Sequence, residues 1–254
     1  MSLDDIIEAF WQRHRAGVYY PAEWKGKLNL ADAYAIQLGL RAKHLAGGRR
    51  SAGWKVGLTA PPIQQQFGVH EPVFGYLLDG EAFPSGTAFE AASMVQPGIE
   101  VEVCVRLGGE FAGPGATAES ARSAVAEVMP ALEIPEGRGP FAEDLPMSVV
   151  DRVQANGIVL GQARPLSPAL SLADVRATVH INGELAATGQ GSDVLGDPLN
   201  SLAWLANSLA DYGLKLESGD LVMTGSFTRQ FLMNAGDRVR AELDPLGVVE
   251  ARFD

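Results

Sequence analysis

Hydrophobic and polar residues alternate strictly between residues 98 and 107, and this period of two predicts a β-strand. Its apolar positions share one face, and they are Ile99, Val101, Val103, Val105 and Leu107. The opposite face carries Glu100 and Glu102, which are separated by a single residue. Two ionised carboxylates this close repel each other, and burial strengthens the repulsion. Either a solvated face or a bound cation can therefore explain the pair.

The N-terminal part of the chain has helical rather than strand periodicity. Ser2 and Asp5 form a capping-box pattern, which predicts a first helix. Asn29 is the predicted N-cap of a second helix, and Gly47 is its predicted end. We expect residues 1–50 to form a helical segment that packs on the main domain.

The main domain is expected to span residues 51–254 and to consist mostly of strands. Helices are predicted at 117–129, ahead of a short strand, and at 197–213. The dipeptide Asn182-Gly183 between alternating runs predicts a β-hairpin. Because few β–α–β units are present, we predict the α+β class, with a mixed, curled sheet and flanking helices.

Composition narrows the classes of partner. The net charge of −11 argues against nucleic acid and anionic membranes, since both require basic patches. An anionic substrate would need a local positive charge from a lysine, an arginine or a metal ion. A single cysteine, Cys104, excludes an internal disulfide. The charged N-terminus and the lack of a long apolar run lead us to expect a cytoplasmic protein without a membrane span.

A third carboxylate lies in an apolar run. Glu133 is part of "VMPALEIP", where a buried carboxylate is unfavourable unless it is paired or binds a metal. A strand end that faces solvent is the alternative. Together with Glu100 and Glu102, it favours a site for a hard divalent cation such as Mg²⁺. Zinc is not indicated, because there is one cysteine and the four histidines lack ligand spacing.

Three other stretches carry candidate chemistry. Lys55 in "GWKVG" is either a partly buried acid or base, or an ordinary loop lysine. Asp79 lies at the strand end in "YLLDG", where a turn residue is more common than a catalyst. The run "MTGSFT" contains Thr224 and Ser226, and its turn could hold a carboxylate through amides and hydroxyls.

Several runs together resemble the 2-keto-4-pentenoate hydratase family of the fumarylacetoacetate hydrolase superfamily. They are "GWKVGLTAPPIQQQFGVHEPVFGYLLDG", "IEVEV", "PALEI", "VLGDPLNSLAWLAN" and "LVMTGSFT". The motifs occur in the same order, from about residue 30 to the C-terminus. The resemblance implies a mixed β-sheet roll with flanking helices that assembles as a homo-oligomer. It also implies that Glu100, Glu102 and Glu133 bind Mg²⁺ or Mn²⁺.

The resemblance further implies a reaction. It is the hydration of a 2-hydroxy-2,4-dienoate to a 4-hydroxy-2-oxo acid, with Lys55 and Asp79 moving protons and Ser226 facing the substrate. A vinylogous 2-oxo-3-hexenedioate decarboxylase is the alternative, and a basic group at the far end of the pocket would favour it. A C–C hydrolase is less favoured, since that branch has Asp rather than Glu as the third ligand. A non-catalytic ligand-binding relative also stays open.

One stretch departs from the family pattern. Where the family usually has an Asp-Asn-Ala-Ser-Ser type sequence, this chain has "DRVQANGIVLG". Gln154 and Ala155 occupy the positions of the serines. We expect Gln154, with Thr224 and Ser226, to contact the substrate, so the substrate can differ from the family norm.

Overall fold

The structure, a computed structural model, describes residues 1–60, 64–65 and 68–254. Residues 61–63 and 66–67, which belong to the motif run between Gly53 and Gly80, lie outside the described residues. The helices are α1 (Leu3–Arg15), α2 (Leu30–Ala46), α3 (Ala118–Ala124), α4 (Leu145–Val150) and α5 (Pro198–Ala210). The strands are β1 (Ser51–Gly57), β2 (Val73–Leu78), β3 (Ala82–Pro84), β4 (Thr87–Phe89), β5 (Gly98–Leu107), β6 (Val125–Pro135), β7 (Ala155–Leu160), β8 (Arg164–Pro165), β9 (Arg176–Ile181), β10 (Glu184–Gln190), β11 (Leu221–Ser226), β12 (Phe231–Leu232), β13 (Arg238–Asp244) and β14 (Gly247–Phe253).

Within the described ranges the strands form two sheets. The larger has nine strands in the order β2-β1-β11-β5-β6-β7-β3, with β12 paired to β5 and β8 paired to β6. It is mixed, because β1 runs parallel to β11 and β3 runs parallel to β7, whereas β5 and β6 are antiparallel. The smaller has five strands in the order β10-β9-β13-β14-β4. The predicted α+β class with a mixed sheet is confirmed.

Strand β5 is buried on both faces. Its valine face, including Val101 and Val103, belongs to the main core together with Leu202 of α5. On the other face, Cys104 packs with Met129 and others in a second buried cluster. The glutamate face continues from this second cluster, so the solvated-face explanation for Glu-x-Glu is wrong.

The two N-terminal helices begin as predicted, since both Ser2 and Asn29 form capping boxes. Ile36 of α2 belongs to the same buried cluster as Trp54 of β1. The core is therefore continuous across residue 50, and the boundary at that residue stays a prediction. None of the helices in the described part of the chain is long and apolar enough to cross a membrane.

The predicted helix at 117–129 is too long. Helix α3 ends at Ala124, and β6 begins at Val125 and continues to Pro135. The run contains apolar residues at spacings that suit either structure, and pairing with β5 decides between them. Val128, for example, pairs with Val105, and β-branched side chains are favoured on such a sheet surface.

Candidate active site

Three carboxylates meet where β5 and β6 pair. In the antiparallel register Glu133 lies directly opposite Glu100, and Glu102 is the next residue on the same face. One oxygen from each of the three lies within 4.8 Å of the others. Glu102 and Glu133 are fully buried, and Glu100 is partly exposed towards a cavity. The predicted three-carboxylate cluster is therefore present in the fold.

The carboxylates have unused hydrogen-bonding capacity. Glu102 Oε2 accepts a hydrogen bond from Gly225 N at 2.8 Å. Its Oε1 and Glu133 Oε2 accept no hydrogen bond from the described residues, whereas Glu133 Oε1 forms an ion pair with Lys55. Buried polar atoms are normally hydrogen-bonded, so unpaired carboxylate oxygens that converge on one point are suited to a ligand.

Lys55 lies beside these carboxylates. It projects from β1 at the position that pairs with Met223 of β11 and Gly75 of β2. Its Nζ lies 3.0 Å from Glu133 Oε1, and its side chain is 4% exposed. Burial acts against the ammonium, but the negative charges of Glu133 and Glu100 outweigh it and raise the pKa of Lys55. The ammonium form is therefore the resting state.

The charges of the cluster do not balance without a further cation. Burial, with the nearby Glu133, raises the pKa of Glu100 to about 7 and also raises the pKa of Glu102. Three carboxylates against one ammonium leave two negative charges in a buried site, which one divalent cation would neutralise. An all-oxygen donor set is the kind that Mg²⁺ and Mn²⁺ prefer. The residues present therefore fit such an ion.

The backbone N–H that donates to Glu102 belongs to a glycine. Gly225 has φ +117°, and a Cβ there would overlap the side chain of Thr59. Only glycine adopts this conformation and this close approach readily. The adjacent Thr224 is fully buried, and its hydroxyl donates to Val103 O at 2.8 Å. Thr224 therefore helps to hold the sheet together and is not among the residues that line the cavity, so its contact with the substrate stays a prediction without support from this placement.

A cavity of about 280 Å³ opens beside the cluster. Lys55 and Glu100 line one part of it, and Leu58 and Pro135 are among its apolar walls. Ser226 also lines it, and its hydroxyl donates to Thr228 O at 2.8 Å. The cavity thus has both charged and apolar lining residues, as expected for a small organic acid.

The stretch that departs from the family pattern forms one wall of this cavity. Arg152, Val153 and Gln154 have φ values of 55°, 55° and 61°, which makes three consecutive non-glycine residues left-handed. Each such residue costs about 1–3 kcal/mol, and a β-branched valine is the least suited to the region. Val153 and Gln154 line the cavity. The surrounding contacts must therefore stabilise the turn.

Buried ion pairs on both sides of the turn provide that stabilisation. Arg138 contacts Asp151 through two hydrogen bonds of 2.9 and 3.0 Å, and it also bonds the carbonyl of Ala155. Arg152 contacts both carboxylate oxygens of Glu81 at 2.9 Å. The turn is thus held at both ends by charge-assisted hydrogen bonds.

The side chain of Gln154 is fixed by contacts with distant parts of the chain. Its amide nitrogen donates to Gly139 O at 2.9 Å and to the hydroxyl of Tyr20 at 3.0 Å. Tyr20 in turn donates to Ser148 Oγ at 2.8 Å. Both amide hydrogens are therefore used, and the amide oxygen is the group that Gln154 can offer to a ligand.

Asp79 does not join the cluster. It follows β2 at the end away from Lys55, since Lys55 pairs with Gly75. Its carboxylate contacts Arg49 Nε at 2.8 Å and Arg50 Nε at 3.4 Å, and these arginines lower the pKa of Asp79. Asp79 is thus an ionised partner of surface arginines and lies apart from Lys55, and its proton-moving role stays a prediction that this placement does not support.

The structure thus brings Lys55, Ser226 and Gln154 to one cavity beside the three glutamates, and their roles remain predictions. The sequence reading missed Thr59 and Arg229, which also line the cavity. Arg229 follows the "MTGSF" turn by two residues, and that proximity was a usable signal. Nothing in the local sequence indicated that Tyr20 would contact Gln154.

The fold and the carboxylate cluster together define a candidate divalent-metal site in a mixed-sheet protein. The model of the fumarylacetoacetate (FAA) hydrolase C-terminal domain matches residues 64–254. The chain belongs to this family, and the predicted family resemblance is confirmed.

Curated relatives cover most of the chain. It is 32% identical over 230 residues to 2-hydroxyhexa-2,4-dienoate hydratase of Comamonas testosteroni, covering 89% of this chain and 87% of the relative. It is 34% identical over 235 residues to 2-oxo-hept-4-ene-1,7-dioate hydratase of Escherichia coli, covering 89% and 88%. It is also 32% identical over 228 residues to 4-oxalocrotonate decarboxylase of Pseudomonas putida, covering 89% and 86%.

Solved structures agree with the family. A 4-oxalocrotonate decarboxylase from Pseudomonas putida G7, complexed with magnesium and adipate, matches with a TM-score of 0.87 and 29% identity. The match covers 99% of this chain and 96% of that one. A fumarylpyruvate hydrolase from Pseudomonas aeruginosa, in complex with Mn²⁺ and pyruvate, shares the fold with a TM-score of 0.64 and 17% identity, covering 80% and 89%.

Proposed function

We propose that this protein is a metal-dependent hydratase that adds water to a 2-hydroxy-2,4-dienoate and forms a 4-hydroxy-2-oxo acid. The observation that carries the proposal is the convergence of Glu100, Glu102 and Glu133 next to Lys55 at a small cavity. Both hydratases named above, each at least 32% identical over most of the chain, support the reaction class.

Glu100, Glu102 and Glu133 would hold the metal ion. When bound, Mg²⁺ or Mn²⁺ would supply a Lewis acid for the carboxylate and the 2-oxygen of an oxo acid. Glu102 and Glu133 are fully buried, whereas Glu100 lines the cavity. The substrate therefore approaches from the Glu100 side.

Lys55 is the proposed proton-moving residue. In the overall reaction, one water supplies the hydroxyl at C4, protons are added at C5 and C3, and the enol proton leaves the 2-oxygen. The Lys55 ammonium lies at the cavity and is held by Glu133, so it can donate a proton to a carbon and recover one from the solvent. Its positive charge also favours an anionic substrate.

Ser226 and Gln154 are the proposed substrate-contacting residues. The Ser226 hydroxyl already donates to Thr228 O, so its oxygen can accept a hydrogen bond from a ligand. The amide oxygen of Gln154 can accept one from the attacking water or from a substrate hydroxyl. Neither role requires movement of the backbone.

A decarboxylase that acts on 2-oxo-3-hexenedioate is the second candidate. It is favoured by Arg229, which lines the cavity and can contact a second carboxylate. The C–C hydrolase alternative has less support, because no histidine lines the cavity among the described residues. Homo-oligomeric assembly and a cytoplasmic location remain predictions from the sequence.

Ultraviolet absorbance of a 2-hydroxydienoate tests the proposal. We expect the dienol band to decay with protein and Mg²⁺ and to persist when EDTA is present. A 4-hydroxy-2-oxo acid as product, without release of CO₂, supports a hydratase. Release of CO₂ from the hexenedioate would support the second candidate, and no metal-dependent decay of any dienol would refute both and leave a ligand-binding protein.

A further inference from the structure

We propose that Arg229 binds a carboxylate at the far end of the substrate, and that the site therefore selects dicarboxylic over monocarboxylic oxo acids. This inference rests on the proposed function, because it assumes that the oxo-acid end of the substrate lies at the glutamate cluster. It concerns the substrate class and holds for either the hydratase or the decarboxylase reaction.

The loop that carries Arg229 bulges beside the cluster. Ser226 of β11 pairs with Glu102 of β5, and Phe231 of β12 pairs with Ile99 of the same strand. Between these two pairs, β5 covers three residue steps, from 102 to 99. The segment that joins β11 to β12 covers five, from 226 to 231. The extra residues must leave the sheet plane next to Glu100, and they include Arg229.

The cavity contains a cation without a carboxylate partner. Its ionisable lining residues are Lys55, Glu100 and Arg229, among those that the structure describes. Lys55 is paired with Glu133, whereas the Arg229 guanidinium forms no ion pair with any described carboxylate. When a metal ion and the oxo-acid end of the substrate occupy the cluster, Arg229 would still lack a contact of opposite charge, and a second substrate carboxylate would supply one.

Contacts within the loop orient Arg229 without using up its donors. The guanidinium carbon lies 4.0 Å from the centroid of the Phe231 ring, and Nη1 donates to Gln230 O at 3.3 Å. A guanidinium has five N–H donors, so most remain available for bidentate contact with a carboxylate. Stacking on the ring of Phe231, which is 5% exposed, reduces the side-chain freedom lost on binding.

The apolar residues that line the cavity are consistent with a substrate that has a short carbon chain. Leu58, Pro135 and Val153 line the cavity that also contacts Glu100 and Arg229. A molecule with two carboxylates joined by a few carbons would place its charges at the metal site and at Arg229, and its chain against these apolar residues. A monocarboxylate would leave Arg229 without a ligand.

A matched pair of non-reacting oxo acids tests the inference. 2-Oxoadipate and 2-oxohexanoate have the same chain length and differ only in the distal carboxylate. Calorimetric titration of the Mg²⁺-loaded protein should show 2-oxoadipate binding on the order of tenfold more tightly. The ratio of the two affinities should decrease as salt is added, because Arg229 is exposed and salt screens its ion pair with the distal carboxylate of 2-oxoadipate.

Variants assign the preference to one residue. Arg229→Gln should bring the affinity ratio close to one, and Arg229→Lys should retain part of it, since the charge remains but the bidentate geometry is lost. Arg176→Gln removes the same charge from an exposed position on β9 outside the cavity, and it should leave the ratio unchanged.

The outcomes separate the two proposals. Equal binding of both oxo acids to the wild-type protein, or a preference that survives in Arg229→Gln, would overturn the role of Arg229 while leaving the proposed function intact. Failure of both oxo acids to bind to the Mg²⁺-loaded protein would overturn the proposed function together with this inference.

Discussion

Glu133 lies directly opposite Glu100 across the β5–β6 pair, and this register brings two sequence-distant carboxylates to one point. Without a bound cation the arrangement is unfavourable, since Glu102 adds a third carboxylate, itself fully buried, and Lys55 supplies one positive charge. The strand pairing and the core on either side therefore hold the cluster together against its own repulsion. The energetic effect of removing one carboxylate should depend on whether a metal is bound.

The variant Glu102→Gln should show this dependence. In EDTA it should be more stable than the wild type by about 1–3 kcal/mol, because it replaces a buried carboxyl group, whose ionisation is disfavoured by burial and by Glu133, with a neutral amide that keeps an acceptor for Gly225 N. With Mg²⁺ the wild type should gain stability and the variant should gain little, since a ligand is missing. Urea unfolding with and without Mg²⁺ measures both effects. An equal Mg²⁺ response in the two proteins would contradict Glu102 as a ligand.

The strand and its glutamates could be predicted from the sequence, but the register could not. Strict alternation around Glu100 and Glu102 identifies the strand and puts both on one face. The sequence predicts a strand that is shorter than β6, because residues 125–129 also have spacing compatible with a helix. Only their pairing with β5 shows that they are part of the strand. Identifying Glu133 as the third ligand therefore depended on its apolar neighbours and on the family resemblance.

Lys55→Ala should reduce turnover far more than it changes metal binding. We expect kcat to fall by about 100-fold or more, the range for loss of a general acid–base group. Mg²⁺ affinity should stay equal or increase, because the ammonium that competes for Glu133 is gone. Initial rates and metal titrations measure the two quantities, with Lys215→Ala on the surface as the control. Unchanged kcat would remove Lys55 from the mechanism.

Gly225→Ala should disrupt the cluster through the backbone. Gly219 is a matched control, because it also has positive φ, at +89°, but a Cβ there would meet nothing within 4 Å. Gly219→Ala should cost about 1–2 kcal/mol, the penalty for left-handed backbone. Gly225→Ala should cost about 3 kcal/mol or more, since its Cβ would also overlap Thr59. Similar losses of unfolding free energy in the two variants would show that the contact with Thr59 is unimportant.

The left-handed turn at residues 152–154 should depend on the buried pair behind it. Asp151→Asn removes the charge that pairs with Arg138, whose side chain is 4% exposed. We expect a loss of about 3 kcal/mol in unfolding free energy and a higher KM, because Val153 and Gln154 would lose their fixed positions. Glu242→Gln breaks a surface pair with Arg240 and should change stability by less than about 0.5 kcal/mol. An unchanged KM in Asp151→Asn would separate the turn from substrate binding.

This turn is the part of the site that the sequence could not provide. A run such as Arg-Val-Gln has no glycine or asparagine to indicate positive φ, and Val153 favours extended backbone. The conformation depends on contacts with Glu81, Arg138 and Asp151, which local propensity does not contain. The sequence identified the stretch as unusual without revealing its geometry.

The pH dependence of stability should contain a contribution from His14. Burial, with the nearby positive charge of Arg138, lowers the pKa of His14 from 6.5 to about 4, and its Nε2 has no hydrogen-bond partner among the described residues. The unfolded chain then binds a proton between these values and the folded protein does not, so this contribution is present above pH 6.5 and is lost as the pH falls towards 4. Between pH 7 and pH 5 it should decrease by about 2 kcal/mol. Urea unfolding at the two pH values measures this effect: the loss of unfolding free energy between pH 7 and pH 5 should be smaller in His14→Phe than in the wild type by this amount. An NMR titration that gives His14 a pKa near 6.5 in the folded protein would contradict the expectation.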